Sequence, residues 1–396
     1  MGRSKLGAVP TPVVIATRRT AIGRAFKGSL AGQRPDDLAA FVARTVVDEV
    51  EGFDPAELED VIVGSAIQAG PQSMNLGRIV SALAGFPETV PGSTVNRFCA
   101  SSLQAVRVAA NAIAAGEGDA YLAVGVESVS QVNGRAFDPE TDANPRFVDR
   151  GRADYVNDMY IPMGMTAENV AERWNVSREA MDEFAALSQG RALAAREGGF
   201  FAREIVPVET AEGTVADTDD GIRPGTTPAV LAALKPVFKP DGRVTAGNSC
   251  PLNDGAAAAL LMSEDRAREL GLPIRARVLA TGLGGVAPEI MGVGPIEAIR
   301  TALRRAGMTV ADLDIVELNE AFAAQVLPIC NEVGIDVEAQ LNPHGGAIAL
   351  GHPFGMTGVR MLGTLLNGLE AADAEIGMVT MCVAGGQGMA TIFERT

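Results

Sequence analysis

Short apolar runs and amphipathic stretches alternate along this chain, and their period predicts where strands and helices fall. PVVIAT (12–17) is a continuous apolar run of strand length. PDDLAAFVARTVVDEV (35–50) places Leu38, Val42 and Val46 at helical spacing behind a first turn holding Pro35, Asp36 and Asp37. DVIVGSA (60–66) reads as a buried strand, NLGRIVSALAG (75–85) as a helix and STVN (93–96) as a short strand. A small-residue helix follows, ASSLQAVRVAANAIAAG, and AYLAVGVES (120–128) closes the set. Strand and helix in strict alternation imply a parallel sheet covered on both faces.

A second series of the same kind occupies the C-terminal part. RVLATG (277–282) is a strand, PIEAIRTALRRAG (295–307) a helix, DIVEL (314–318) a strand and EAFAAQVLPICNEVG (320–334) a helix. NPHGGAIALGHPFG (342–355) leads into the helix MTGVRMLGTLLNGLE (356–370), and two strands end the chain, GMVTMCVAGG and QGMATIFER. AELEDVIV at 56–63 and ADLDIVEL at 311–318 fall at the same step of each series, which points to an internal duplication. Between the series, residues 127–250 behave differently. NGRAFDPETDANPRFVDRGRADYVND (133–158) is polar and irregular, and a long amphipathic helix begins at Ser177 with Met181, Phe184, Ala185 and Ser188 on one face. An insertion of this size on an α/β scaffold is expected to cover substrate. The organisation expected is therefore an N-terminal half (1–126), an inserted loop domain (127–250), a return to the first half (251–274) and a C-terminal half (275–396).

Composition narrows the class. The chain is 47% apolar and 5% aromatic with 45 glycines, a mix suited to close-packed helices on sheets. Its formal charge of −16 repels nucleic acid and anionic membrane, so an anionic ligand would need locally placed cations. No apolar run approaches a membrane span, and MGRSKLGAVPTPVVIATRRT has no signal-peptide core, so a cytoplasmic enzyme is expected. Cys99, Cys250, Cys330 and Cys382 contain no CxxC pair, which argues against structural zinc and against a disulfide framework.

Four stretches carry candidate chemistry. In NRFCASSLQ (96–104) a lone Cys99 sits at or near a helix start, where backbone N–H groups and the macrodipole favour a thiolate. The plain alternative is a small buried hydrophobe. Both histidines, His344 and His352, lie in the Gly-rich 342–355 loop, where glycine lets backbone approach a ligand. A histidine there could take a proton from a cysteine; the alternative for each is a loop-stabilising hydrogen bond. Cys382 precedes two near-consecutive glycines at a strand end in MCVAGGQG, and Asn319 is a polar residue at a strand end in LNEAF, placed to hold a water or donate to an oxyanion.

In this order these stretches resemble the thiolase family. The resemblance spans nearly the whole chain, through VVIATRRTAIGR (13–24), NRFCASSLQA (96–105), MGMTAENVA (163–171), VTAGNSCPLNDGAAA (244–258), MGVGPIEA (291–298), NEAFAAQ (319–325), GGAIALGHPFGMTG (345–358) and CVAGGQG (382–388). It implies an α/β thiolase fold of two similar five-stranded mixed halves, a duplicated βαβαβαββ, with the loop domain inserted. It also implies a ping-pong acyl transfer. His352 would take the Cys99 proton, and the thiolate would attack the 3-keto carbon of a 3-ketoacyl-CoA. Cys382 would protonate the departing acetyl-CoA enolate, and a second CoA would take the acyl group from Cys99. One oxyanion would meet His352 and a water on Asn319, the other the backbone N–H groups of Cys99 and Ala384.

The resemblance assigns binding with less detail. Arg223 in GIRPG falls where CoA phosphates are met, Ser249 and Cys250 lie near the pantetheine, and Met163, Met291 and Phe322 line the acyl side. Ala384 and Ser102 stand where glycine is usual, Cys250 and Pro251 where serine and glycine are frequent. Pro162 replaces a histidine common in acetoacetyl-CoA-specific members, which favours a degradative 3-ketoacyl-CoA thiolase over an acetyl-CoA acetyltransferase. CoA is then a substrate, with no bound cofactor and no metal. The partners implied are CoA thioesters, a second copy in a homodimer or homotetramer, and a β-oxidation multienzyme partner. Other classes weighed are a decarboxylating ketoacyl synthase, a non-catalytic CoA- or lipid-binding relative and a metal protein.

Overall fold

The computed structural model describes residues 9–132 and 137–396. Residues 1–8, in the leader, and 133–136, in the irregular stretch, lie outside the described residues.

The first series folds as β1 (Pro12–Arg19), α1 (Pro35–Asp48), β2 (Asp60–Gly64), α2 (Leu76–Leu83), β3 (Gly92–Val95), α3 (Ser101–Ala115) and β4 (Ala120–Ser128). The chain then leaves the sheet and forms α4 (Met163–Arg173) and α5 (Arg178–Glu197) before returning as β5 (Asn253–Ser263). Ser177 caps α5, its hydroxyl accepting from the Ala180 N–H at 3.1 Å. The second series follows as β6 (Ala276–Gly285), α6 (Gly294–Ala306), β7 (Ile315–Leu318), α7 (Ala323–Val333), α8 (Thr357–Ala372), β8 (Ile376–Val383) and β9 (Gln387–Arg395). The repeated phrase has the same structure twice: a 3-10 turn at Pro55–Glu57 precedes β2, and one at Val310–Asp312 precedes β7.

These strands form one sheet in the order β7-β8-β9-β6-β1-β5-β4-β2-β3. Parallel pairing is confined to β2 with β3 and β4, and to β7 with β8. The other five ladders in this order are antiparallel, so the parallel sheet expected from the alternation fails for most of it, while the mixed sheet that the resemblance implied is found. The reason is clearest at β8 and β9. Only residues 384–386 join them, and a parallel pair needs a crossover of a dozen residues or more. In the second half the strand that would mirror β3 is reduced to one parallel bridge, Val316 to Leu341. The halves join at the centre through only two residue pairs, Val13 with Arg277 and Val14 with Ala276.

Alternation along each strand sends side chains into separate cores. Val61 and Val63 face α1 and α2, while Ile62 faces the central core with Leu103, Val106, Leu362 and Leu365. α8 is buried on every side from Thr357 to Leu369, as an interior helix between two sheet halves must be. It crosses α3 where Gly358 meets the Leu103 backbone too closely for a Cβ. The Ser102 hydroxyl accepts from the Val359 N–H at 3.1 Å, a first-turn donor that α8 cannot satisfy itself. Ser102, standing where glycine is usual, thus ties the two halves together.

Candidate functional site

The candidate residues gather where strands of both halves end. Cys99 follows β3, Asn319 follows β7, and Cys382 sits in the last turn of β8, while His352 comes from the loop feeding α8. Ligands of α/β sheets bind at this carboxyl edge.

Cys99 is held by a tight turn. Phe98 has φ of 43°, the Asn96 Oδ1 accepts from the Phe98 N–H (2.8 Å), and the Ser101 hydroxyl donates to the Phe98 carbonyl (2.6 Å). Arg97 reaches across to Gln387 Oε1 (2.9 Å), fixing this turn against the β8–β9 connection. α3 starts only at Ser101, and Cys99 is not a low-pKa thiol. Burial pushes it well above its ordinary value, and the neighbouring Cys382 and Cys250 thiols push the same way. The nearby N–H groups of Ala384 and of Cys99 itself oppose the shift without overcoming it. The lowering expected from a helix start does not outweigh burial, so the nucleophile needs the base that the resemblance assigns to His352.

His352 is buried, and its hydrogen bonds set its tautomer. Thr357 Oγ1 donates to the Pro353 carbonyl (2.8 Å), so it accepts from the His352 Nδ1–H at 2.6 Å, leaving Nε2 bare. Nε2 lies 3.3 Å from Asn319 Nδ2, and Asn319 Oδ1 is buried without a partner. Burial, then the Arg360 charge, pushes His352 down to about 3, so it is neutral at rest. Its backbone N–H is held by Asn253 Oδ1 (2.9 Å), and Gly355 N–H donates to Glu127 Oε2 (3.0 Å). His344 takes no part: it stacks on Phe200 with ring centroids 3.6 Å apart.

Cys382 is buried, and burial pushes its thiol up to about 11, against a 2.9 Å hydrogen bond from Gln325 Nε2. Ala384 does not have a positive φ, so alanine serves there; Gly385 and Gly386, with φ of 75° and 83°, make the turn behind it.

Among the binding candidates, Met291 is buried and Met163 half-buried on the same apolar core as Cys382 and Phe322. Phe322 packs edge-on to Phe238 (6.2 Å). The Ser249 hydroxyl is spent on the Thr245 carbonyl (2.7 Å), while Cys250, anchored through its N–H to the Ala321 carbonyl (3.0 Å), raises Cys99 and is itself raised by Cys382. Arg223 is exposed, and burial of its base plus the charge of Arg24 lower its pKa. Sequence reasoning missed Arg24, Thr357, Gln325, and Met159, whose sulfur lies 3.3 Å from where a Gly385 Cβ would stand. Among the described residues no three His, Cys, Asp or Glu side chains converge as a metal site requires, and no helix is long and apolar enough to cross a membrane.

Comparison with known proteins agrees with this geometry. Residues 12–265 match the family description "Thiolase, N-terminal domain" and residues 272–395 "Thiolase, C-terminal domain". A β-ketoadipyl-CoA thiolase of Pseudomonas putida is 45% identical over 95% of this chain and 97% of its own. A 3-ketoacyl-CoA thiolase of Bacillus subtilis is 42% identical over 96% of this chain and 98% of its own. The crystal structure of the dimeric peroxisomal thiolase of Saccharomyces cerevisiae superposes with a TM-score of 0.91 at 36% identity, covering 99% of each chain. Both domain descriptions together span nearly the whole chain, and these relatives match it over almost their full length: the chain belongs to the thiolase family.

Proposed function

We propose that the protein cleaves 3-ketoacyl-CoA with CoA, giving acetyl-CoA and a shortened acyl-CoA by way of an acyl-Cys99 intermediate. His352 Nε2 takes the Cys99 proton as sulfur bonds the keto carbon. The bond between Cα and the keto carbon breaks, and its electron pair leaves as the acetyl-CoA enolate, protonated by the Cys382 thiol. The Cys382 thiolate then takes the proton of an incoming CoA thiol. The CoA sulfur bonds the acyl carbon as its bond to Cys99 breaks, and the leaving Cys99 thiolate recovers its proton from His352. The observation that carries this reading is the meeting of Cys99 with Cys382 at one sheet edge, where backbone N–H groups of Cys99 and Ala384 lie near the nucleophile and favour its charged form. An acyl thioester on that sulfur would have its oxygen beside two donors, an arrangement whose loss typically costs about 10²–10³ in rate.

The acyl side supports an uncharged chain. Met159, Met163 and Met291 offer flexible thioethers. Among the described residues of the covering loop, Arg146, Arg150 and Arg152 are each paired with Asp154 or Asp158. Arg24 and Arg223 form no ion pair among the described residues and suit the CoA phosphates. We assign residues 127–250 the role of substrate cover over the halves 1–126 with 251–274, and 275–396. A homodimer is supported by the unpaired outer edge of β3 beside exposed Met74 and Phe98. A reducing, cytoplasmic compartment suits chemistry that needs two free thiols.

CoA-dependent cleavage of acetoacetyl-CoA and of a long-chain 3-ketoacyl-CoA, with Cys99→Ala alongside, tests the reading. Comparable rates on both, abolished by the substitution, are expected. Activity on acetoacetyl-CoA alone would make the protein an acetyl-CoA acetyltransferase, and activity on neither would sink the catalytic reading.

A further inference from the structure

Gln325 sits in the first turn of α7, fully buried, in an apolar core with Met291, Val293, Ile296 and Cys382. Its amide has a single side-chain contact of hydrogen-bonding kind: Nε2 donates to Cys382 Sγ at 2.9 Å. The other end, Oε1, is buried with no partner at all. From behind, the amide is held against Gly292, where a Cβ would stand 2.7 Å from Oε1 and 2.8 Å from the Gln325 Cβ. A methionine or leucine would fill the same space without an orphaned carbonyl, which by itself costs about 1–3 kcal/mol. The polar group therefore has no account in packing, and its only contact is the sulfur.

We propose that Gln325 is a positioning residue for Cys382, holding the sulfur in place and matching both of its protonation states. The inference rests on the reading that Cys382 passes a proton to and from acetyl-CoA. With Nε2 toward the sulfur, the amide donates to a thiolate. Turned by half a rotation about its last bond, it presents Oε1 to a thiol S–H. An amide offers a donor and an acceptor at the same reach, so a residue that works alternately as acid and base keeps a partner throughout. The unpaired Oε1 is the half not in use when Nε2 faces the sulfur. Asn319 repeats the device on the other proton carrier: Nδ2 lies 3.3 Å from His352 Nε2, and Oδ1 is unpartnered. The titratable groups acting in the same space are the Cys99 and Cys250 thiols, both shifted by Cys382. No charged side chain contributes to the shift of Cys382, so the amide supplies the side-chain donor that stabilises its thiolate.

Gln325→Met keeps the length and removes both polar ends; Gln325→Glu keeps the shape and opposes a thiolate. The experiment compares both with wild type in thiolysis, in exchange of the acetyl-CoA α-protons with deuterated water, and in thermal melting. Expected for Gln325→Met are a kcat about 10- to 100-fold lower with KM within about twofold, and an exchange rate whose rise with pH moves to higher pH. Its melting temperature should be equal to or above wild type, since an orphaned carbonyl is gone. Gln325→Glu should lose α-proton exchange more steeply as pH rises and recover part of it at lower pH. A Gln325→Met enzyme that melts normally, with kcat within about threefold and an unmoved exchange profile, overturns the inference. An inactive wild type would instead overturn the thiolase reading on which it rests.

Discussion

The hydrogen bond from His352 to Thr357 gives the sharpest single prediction. Thr357→Val replaces Oγ1 by a methyl group of similar size at a fully buried position, leaving the backbone of α8 undisturbed. The Nδ1–H then has no acceptor, since the only group within reach was Oγ1 at 2.6 Å. Leaving a buried donor unpaired costs about 1–3 kcal/mol. The imidazole has one escape, moving the proton to Nε2, where a turned Asn319 amide could accept it. That tautomer can no longer take a proton from Cys99 at Nε2. Either way the transition state suffers, because it needs an imidazolium with both N–H groups satisfied. At about 1.4 kcal/mol per decade, kcat/KM should fall roughly 5- to 150-fold. Thr357→Ser restores the hydroxyl and should stay within about threefold of wild type. Initial rates of acetoacetyl-CoA thiolysis, measured with melting curves for both variants, decide the matter. A well-folded Thr357→Val enzyme at wild-type speed would refute the tautomer argument.

Three further outcomes are expected. Because burial raises Cys382 to about 11, its thiolate fraction grows roughly tenfold per pH unit below that value. Acetyl-CoA condensation, which needs the thiolate, should therefore climb with pH while thiolysis, which needs the thiol, does not; a flat condensation profile would contradict this. Arg24→Ala and Arg223→Ala should each raise KM for CoA by roughly two- to fivefold, less at high salt, since charges this exposed contribute at most about 1 kcal/mol. An unchanged KM and salt response would remove them from the phosphate site. Glu127→Ala strips the shared acceptor from the Ala66, Ile67 and Gly355 N–H groups and the Gln72 amide. It should destabilise the fold by more than about 3 kcal/mol and slow thiolysis through the loop carrying His352; a melting curve matching wild type would show that water replaces it.

Much of this was legible along the chain because the period of apolar residues and the site motifs are both local. β1 to β4 and β6 to β9 fall within a few residues of their apolar runs, and the repeated phrase at 56–63 and 311–318 marked equivalent turns and strands. What failed was non-local. Strand direction depends on which strand is the neighbour, so β5 and β9 run antiparallel to both their neighbours while carrying buried runs like those of the parallel strands. The Cys99 ionisation was misjudged for a similar reason: its turn promised a favourable dipole, but burial against residues from the other half decides its charge. Gln325 and Thr357 left no mark because each differs from an ordinary helix residue only through an atom supplied by another segment.

The pairing of β4 with β5 bears on how the protein is made. Nine consecutive buried residues, Ala120–Ser128, need Asn253–Ser263 as their antiparallel partner. On the ribosome β4 emerges long before β5 exists, and the whole covering segment must be synthesised in between. Throughout that interval one edge of a largely apolar strand stands open to any other nascent chain nearby, and hydrophobic edges of this kind nucleate aggregates. The first half cannot close cotranslationally in the order in which it is encoded. Its yield in a cell should depend on chaperone supply and on the pace of translation through residues 129–252 more than on the stability of the finished fold.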